Sequence, residues 1–214
     1  LDEKSQRLKQ LTADLVEASK ISSGNVKLDM QVIDLVELVY QTSGEFNEKF
    51  EQKELTIVTK LPKTAVLIRA DGRQLYRVIE NLYNNVAKYA LEKTRVYVDI
   101  AYVEEKVVFS IKNVSEHSLA RENSNAGDLT ERFIRGDSSR TTEGSGLGLS
   151  IAKSLTVLMG GVFDIKVDGD LFKASITFPQ YVDENSSNPK MEEPASEDDY
   201  EIEELEPEER TEEE

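Results

Sequence analysis

The sequence predicts an α+β fold, a two-layer sandwich in which helices cover one face of a mixed, largely antiparallel sheet. Residues 96–103 and 107–114 alternate strongly between apolar and polar side chains, and residues 162–167 and 171–178 do so again. A short polar turn joins the members of each pair, so both pairs predict β-hairpins. Apolar residues at helical spacing elsewhere in the chain predict helices that each bury one face against the sheet.

The other elements follow from local patterns along the chain. In order, they are a helix over residues 8–21, a strand at 28–32, a helix at 35–50, strands at 55–61 and 65–68, a helix that begins after Asp71-Gly72, and a helix that starts in the glycine-rich segment 144–148 and stops at Gly160-Gly161. Asp71 is the expected N-cap of the third of these helices, and the paired glycines are a typical helix stop.

The helix after Asp71 carries two asparagines and a lysine along one side. Its apolar face consists of Leu75, Val78, Ile79, Leu82 and Val86. Asn81, Asn85 and Lys88 recur at i, i+4 and i+7 and form a separate polar stripe. Amide oxygen is a suitable ligand for Mg²⁺ and an ammonium neutralises phosphate, so the stripe favours Mg-ATP chemistry. The alternative for this segment alone is an ordinary solvated helix face.

The segment GSGLGLSIAK places Gly144, Gly146 and Gly148 directly before a helix. Without a Cβ, these residues let backbone amides approach an anion closely near the positive end of that helix. No GK[ST] follows, as it would in a P-loop, and no strand leads into the segment, as it would in a dinucleotide fingerprint. The segment therefore predicts a nucleotide-binding loop of another kind.

Taken in their order along the chain, these segments resemble the ATP-binding domain of sensor histidine kinases. That domain is part of the Bergerat-type superfamily, which also includes gyrase, certain heat-shock chaperones and mismatch-repair ATPases. ENLYNNVAKYA (residues 80–90) is similar to the N box of the family, LTERFIRGDSSR (129–140) to its F box, and GSGLGLS to its second glycine box. The resemblance extends from the first helix to about Pro179, and it implies a Bergerat-type fold.

The resemblance also implies roles for individual residues. Asn81 and Asn85 are expected near Mg²⁺. We expect the phosphates of ATP to contact Lys88 and the backbone amides of residues 144–148, which include Ser145 and Leu147. In related ATPases, a glutamate at the position of Asn81 activates water. An amide cannot act as that base, so the resemblance implies transfer of the γ-phosphoryl group to an imidazole rather than to water.

One box departs from the family pattern. Where the family has an Asp-x-Gly-x-Gly turn, this chain reads IKNVSEHSLA, with Asn113 at the place of the Asp and no glycines. Asn113 could still accept a hydrogen bond from the adenine amino group, but without the charge of a carboxylate. We therefore expect weaker nucleotide binding. Tyr89 is also expected beside the nucleotide, although it is equally compatible with ordinary core packing.

Residues 115–145 are rich in Ser, Asn, Gly and Arg and are too many for an ordinary connection, which predicts a lid. Arg132, Arg135 and Arg140 are candidates for phosphate contacts when the lid closes. The alternative is surface arginine paired with acidic neighbours. Phe133 is expected to anchor the lid on the domain.

His117, the only histidine in the chain, also lies in this stretch. In the family, the phosphorylated histidine sits early on the first dimerisation helix and is followed by an acidic residue and Thr-Pro. We therefore interpret His117 as a bystander.

The charge is distributed very unevenly. The net charge is -16, of which residues 181–214, with 16 acidic and 2 basic residues, carry -14, so residues 1–180 are nearly neutral. The sequence predicts three parts: residues 1–23 as the end of a dimerisation-hairpin helix, 24–180 as the ATP-binding domain, and 181–214 as an acidic disordered tail. The tail is expected to act as a solubilising spacer, with occupation of a basic surface as the alternative.

The chain has no cysteine, which fits a reducing compartment, and no apolar run long enough to span a bilayer. It does not begin with Met, so we interpret it as a fragment. The resemblance implies a cytoplasmic domain of a membrane protein whose acceptor histidine, sensor and membrane helices lie in a missing N-terminal part. The expected partners are its own dimerisation domain in a homodimer and a response regulator. No basic patch suggests nucleic acid.

Three function classes remain open at this point. An intact N box and second glycine box favour an active kinase domain that uses ATP and Mg²⁺. The altered first glycine box favours a pseudokinase or interaction module, and an ATP hydrolase is disfavoured by Asn81. Mg-dependent ATP binding separates the first two classes, and steady phosphate release without an acceptor identifies the third.

Overall fold

The computed structural model describes residues 26–116, 147–182 and 200–205, together with individual helical positions between residues 5 and 21. Its helices are α1 (Leu35–Glu51), α2 (Gly72–Tyr89) and α3 (Gly148–Leu158). Its strands are β1 (Met30–Asp34), β2 (Thr56–Pro62), β3 (Leu67–Asp71), β4 (Arg95–Val103), β5 (Lys106–Val114), β6 (Val162–Asp168), β7 (Leu171–Pro179) and β8 (Tyr200–Leu205). The elements expected between residues 28 and 179 are all present, with bounds shifted by three residues or fewer.

Six of the strands form one sheet, in the order β6-β7-β5-β4-β2-β8. Among these described strands, β2 pairs with β4 in parallel, and the other neighbours are antiparallel. β1 and β3 form a separate antiparallel ribbon. The predicted mixed, largely antiparallel sheet is confirmed.

The helices lie on one face of the sheet because the strands turn their apolar side chains to that face. In β4, Val96, Val98 and Ile100 are buried, and the residues between them are exposed or half-buried. α2 buries the apolar residues that its helical spacing predicted, and also Tyr83. The Tyr83 ring stacks on Phe50 of α1 with 6.0 Å between ring centroids, so the two long helices share one core.

Both ends of α2 are fixed by side chains. At its start, Asp71 accepts hydrogen bonds from the Gln74 N–H at 3.1 Å and from the Asp29 N–H at 2.8 Å. Burial raises the pKa of the Asp71 carboxyl, but these and other backbone hydrogen bonds outweigh burial, and the pKa lies below its usual value. At the other end, Lys53 Nζ donates to the carbonyls of Lys88 at 3.0 Å and Ala90 at 3.2 Å. The helix that carries the polar stripe is thus held in place at both ends.

The predicted stop of α3 is confirmed. Gly160 adopts a φ of 85°, a left-handed conformation that glycine adopts readily. The Gly161 N–H then reaches the Thr156 carbonyl at 2.9 Å, which closes the last turn in a Schellman arrangement. Strand β6 begins directly after these two glycines.

The prediction that the whole of residues 181–214 is disordered is wrong for residues 200–205. These residues form β8, which pairs antiparallel with β2 at the edge of the sheet. The composition of the tail does not predict this strand, because the strand with which it pairs lies about 140 residues earlier in the sequence. Paired backbone groups and cationic neighbours compensate for the few apolar side chains.

Candidate functional site

The polar stripe of α2 is half-buried along one side of the helix, at Asn81, Asn85 and Lys88. Asn81 Nδ2 donates to the Arg77 carbonyl one turn earlier, at 2.9 Å, which fixes the side-chain amide and leaves Oδ1 on the other side. The neighbouring Asn84 is exposed and accepts a hydrogen bond from Lys49 Nζ at 3.2 Å. The two asparagines of the stripe are therefore less exposed than Asn84 on the same helix.

The first residue of α3 lies directly against this stripe. A Cβ placed on Gly148 would stand 2.9 Å from Asn81 Oδ1, closer than real side chains approach. A side chain at position 148 would therefore displace the Asn81 amide from its present position. The structure thus places Gly148 of the second glycine box against Asn81 of the asparagine stripe, although the two residues lie more than 60 positions apart in the sequence.

Among the described residues, no side chain caps the start of α3. Leu147 occupies the N-cap position, and no side chain there accepts a hydrogen bond from the first turn. The Leu147 carbonyl instead accepts from the Ile151 N–H at 2.9 Å and from Ser150 Oγ at 2.7 Å. The first amides of a helix without such a cap are suited to an anion, because they carry the positive end of the helix dipole.

Asn113 lies on β5 with only 2% of its surface exposed. Its Nδ2 donates to the Val114 carbonyl at 2.9 Å, whereas its buried Oδ1 has no hydrogen-bond partner within the described residues. An unpaired buried acceptor is costly unless a donor arrives. Within the described residues, this oxygen therefore lacks the donor that a buried acceptor needs.

The end of α2 is joined to the end of β5, close to Asn113. The Leu91 N–H donates to the Val114 carbonyl and the Glu116 N–H to the Tyr89 carbonyl, both at 2.9 Å. Lys88 Nζ lies 4.7 Å from the centroid of the Tyr89 ring. Tyr89 thus stands near Asn113, and the Lys88 ammonium lies over its ring.

Several expected site residues lie outside the described residues. They are Arg132, Arg135, Gly144, Ser145 and Gly146, together with Arg140, Phe133 and His117. In the described part of the chain, no three His, Asp or Glu side chains are grouped closely enough to hold a metal ion.

Sequence reasoning missed the part that Lys53 plays in the site. Its ammonium fixes the carbonyl groups at the end of α2, where Lys88 and Tyr89 lie. The contact spans 35 residues of sequence to Lys88 and has no local pattern that could reveal it.

The sequence profile of a family described as histidine kinase-, DNA gyrase B- and HSP90-like ATPase matches residues 70–190. Those residues include α2, β5 and α3, and so every described site residue that the sequence predicted. The match covers more than half of the chain.

The chain is similar to several curated sensor proteins. It is 28% identical over 161 residues to the alginate biosynthesis sensor protein KinB of Pseudomonas aeruginosa, which covers 75% of this chain and 26% of that protein. It is 29% identical over 164 residues to the sensor protein VanSC of Enterococcus gallinarum, covering 74% of this chain and 43% of that protein. The chain therefore spans between about a quarter and two-fifths of the length of these relatives.

Solved structures share the fold. The histidine kinase AdeS of Acinetobacter baumannii matches with a TM-score of 0.68 and 17% identity over 84% of this chain and 82% of that one. Full-length ShkA in complex with AMPPNP matches with a TM-score of 0.71 and 21% identity over 85% of this chain and 37% of that one. The predicted Bergerat-type architecture is confirmed. Within the described residues, no helix is both long and apolar enough to cross a bilayer.

Proposed function

The chain belongs to the family of histidine kinase-, DNA gyrase B- and HSP90-like ATPases and carries a histidine kinase-type ATP-binding catalytic domain, and we propose that this domain transfers the γ-phosphoryl group of Mg-ATP to a histidine of a dimerisation domain. A response regulator aspartate would then receive the group. The observation that carries the proposal is the contact of Gly148 with Asn81, which places an uncapped helix start beside an amide stripe.

The buried oxygen of Asn113 supports binding of an adenine nucleotide. Asn113 Oδ1 is buried without a partner among the described residues, so a donor from the ligand would remove a desolvation cost. The amino group of adenine is a donor of this kind. Because the amide is neutral, the hydrogen bond is weaker than one to a carboxylate.

The phosphates would lie at the start of α3. Its first amides and the helix dipole favour negative charge, and Gly148 lets the backbone approach closely. Lys88, two turns after Asn81 on the same stripe, would add a positive charge once its ammonium leaves the Tyr89 ring. These groups bind and orient the triphosphate.

Asn81 and Asn85 fit a magnesium ion. Each offers a neutral amide oxygen from one side of α2, and Asn81 Oδ1 faces the start of α3, where phosphate would lie. Mg²⁺ bound there would neutralise charge on the phosphates. The two side-chain amides would fix the position of the ion relative to the phosphates. Phosphoryl transfer depends mainly on such positioning and charge neutralisation.

The nature of residue 81 decides between transfer and hydrolysis. An amide does not take a proton from water, so Asn81 offers no general base at this point. An imidazole needs no such help, because its nitrogen lone pair attacks phosphorus directly. The new bond joins imidazole nitrogen to the γ-phosphorus, and the bridging oxygen leaves on ADP.

The acceptor would belong to the dimerisation domain of the intact protein, which forms a homodimer. We propose that residues 1–23 are the end of its hairpin helix, followed by the catalytic domain. Helical positions Leu8 and Leu15 are 67% and 64% exposed, as expected for a helix whose partner helices are missing. A membrane anchor would likewise belong to the part of the intact protein that precedes the catalytic domain.

The proposal is tested by replacing Asn81 and Asn85 separately with Ala. We expect either change to lower phosphoryl transfer from labelled ATP to the separately supplied dimerisation domain by about 100-fold or more. Asn84→Ala is the matched control on the same helix and should retain transfer within about twofold. Normal transfer by both Asn81→Ala and Asn85→Ala would contradict the assignment.

A further inference from the structure

Strand β8 covers the outer edge of β2. Six residue pairs run from Ile57 opposite Leu205 to Pro62 opposite Tyr200. β2 has the sequence TIVTKLP, which is rich in β-branched residues, and an uncovered edge of this kind accepts strands from other chains. The chain itself supplies the strand that closes the edge.

The contacts that hold β8 come from three different elements. Arg95 Nε of β4 donates to Glu204 Oε1 at 2.9 Å. The Tyr40 hydroxyl of α1 donates to Glu201 Oε2, also at 2.9 Å. Burial and the Glu201 carboxylate raise the pKa of Tyr40 to about 12, so the hydroxyl remains a donor at neutral pH.

The third contact is a cation–π contact within the pair of strands. Lys60 Nζ of β2 lies 5.0 Å from the centroid of the Tyr200 ring. The domain thus presents two cations and a hydroxyl donor along this edge. Such a set favours carboxylates and aromatic rings and offers nothing to a basic segment.

Little apolar surface holds β8 in place. Glu201, Glu203 and Glu204 are exposed, and Ile202 is 65% exposed. Backbone pairing and a few charge contacts at a surface are individually weak. An edge strand held in this way can detach without unfolding the domain.

We propose that the outer edge of β2 is a strand-acceptor site selective for acidic extended segments, and that residues 200–205 of the same chain are its resident ligand. The segment competes with strands of other molecules, and its acidic side chains fix the selectivity of the site. The site is formed by β2, β4 and α1, and the nucleotide site by α2, β5 and α3, so the two are separate.

The first experiment measures hydrogen exchange of the β2 amides in the full chain. Replacing both Ile202 and Glu203 with Pro removes two consecutive backbone donors from β8, one of which must face β2. We expect β2 exchange at least tenfold faster and unchanged exchange in β5 and β7. Unchanged β2 exchange would overturn the proposal.

The second experiment tests the charge selectivity by a swap. Arg95→Glu and Glu204→Arg should each speed β2 exchange about threefold or more, and the double variant should restore the slow rate. Lys93→Glu is the matched control, because Lys93 forms a comparable exposed ion pair, at 3.2 Å, with Glu54 and not with a residue of β8. Failure of the double variant to restore slow exchange would contradict the charge selectivity.

The third experiment supplies the strand from outside. A labelled peptide with the sequence of residues 196–209 should bind the double-Pro chain, as measured by fluorescence anisotropy, and should not bind the unaltered chain. A peptide with every Glu and Asp changed to Gln or Asn should bind at least fivefold more weakly. Equal binding of both peptides, or binding of neither, would overturn the proposal.

Discussion

The starts of α2 and α3 show two ways to treat the first amides of a helix. Asp71 caps α2 and accepts hydrogen bonds from the Gln74 and Asp29 N–H groups, so its first turn is satisfied by the protein. α3 begins at Leu147, which caps nothing with its side chain. A side-chain cap thus stabilises the start of α2, whereas the residue at the N-cap position of α3 provides none.

The difference teaches which helix start can bind an anion. A carboxylate at the cap position both uses the amides and repels phosphate, so the start of α2 is closed. The start of α3 keeps its positive end and lies beside Asn81. Absence of a cap is costly for stability, and this cost falls on the helix that the proposed function assigns to ATP.

The largest effect is expected from Asp71→Ala, which removes the satisfied cap. The Gln74 and Asp29 N–H groups lose their acceptor, so the free energy of unfolding should fall by about 2–3 kcal/mol. Urea denaturation measures this change. Asp71→Asn keeps an acceptor and is the control; equal stability of the two variants would show that the cap contributes little. ATP affinity should be unchanged in Asp71→Asn.

Leu147→Asp would make α3 resemble α2. A carboxylate at that position should weaken ATP binding by about tenfold or more, because it occupies the amides and adds negative charge. Isothermal titration measures the affinity. Leu147→Asn loses the same apolar side chain without adding charge and is the control. If both variants bind ATP equally, the phosphates do not lie at the start of α3.

Asn113→Asp tests the other group that the protein leaves unsatisfied. A carboxylate in place of the amide should accept a charge-assisted hydrogen bond from adenine and raise ATP affinity by about fivefold. Asn113→Leu, which has similar size and no acceptor, should lower affinity. Titration of ATP that shows no gain for Asn113→Asp would refute the role assigned to this side chain.

The smallest effect is expected on the stability of the protein at acidic pH. The pKa of Asp71 is lowered in the folded protein, so its contribution to stability is complete above the ordinary pKa of an aspartate, about 4, and is lost as the pH falls through the folded value. Asp71→Asn does not titrate. The difference in unfolding free energy between the unaltered chain and Asp71→Asn should therefore shrink in acid. A difference that stays constant from neutral pH to pH 2 would contradict the cap's ionic contribution.

Much of the fold could be predicted because its signals are local. In the hairpins β4–β5 and β6–β7, a short turn joins two runs in which apolar residues recur at strand spacing, and α2 shows its apolar face and its Asp71 cap within one segment. Strand β8 could not be predicted. Its Glu-rich sequence becomes a strand only against the edge of β2 and the Arg95 side chain.

The candidate site could be predicted in part for the same reason. The spacing of Asn81 and Asn85 indicated a shared face, and the resemblance indicated that Gly148 belongs with them. The direct contact of Gly148 with Asn81 and the unpaired oxygen of Asn113 depend on packing between distant segments. No pattern within either segment encodes them.

The parallel pairing of β2 and β4 has a consequence for how the domain folds. Parallel neighbours cannot be joined by a hairpin, so the connection between them contains β3 and the whole of α2. The asparagine helix is therefore enclosed in a long crossover, whose closure is slow because the contacts are distant in sequence. We expect α2 to dock only as the centre of the sheet assembles, so that the catalytic surface matures together with the hydrophobic core.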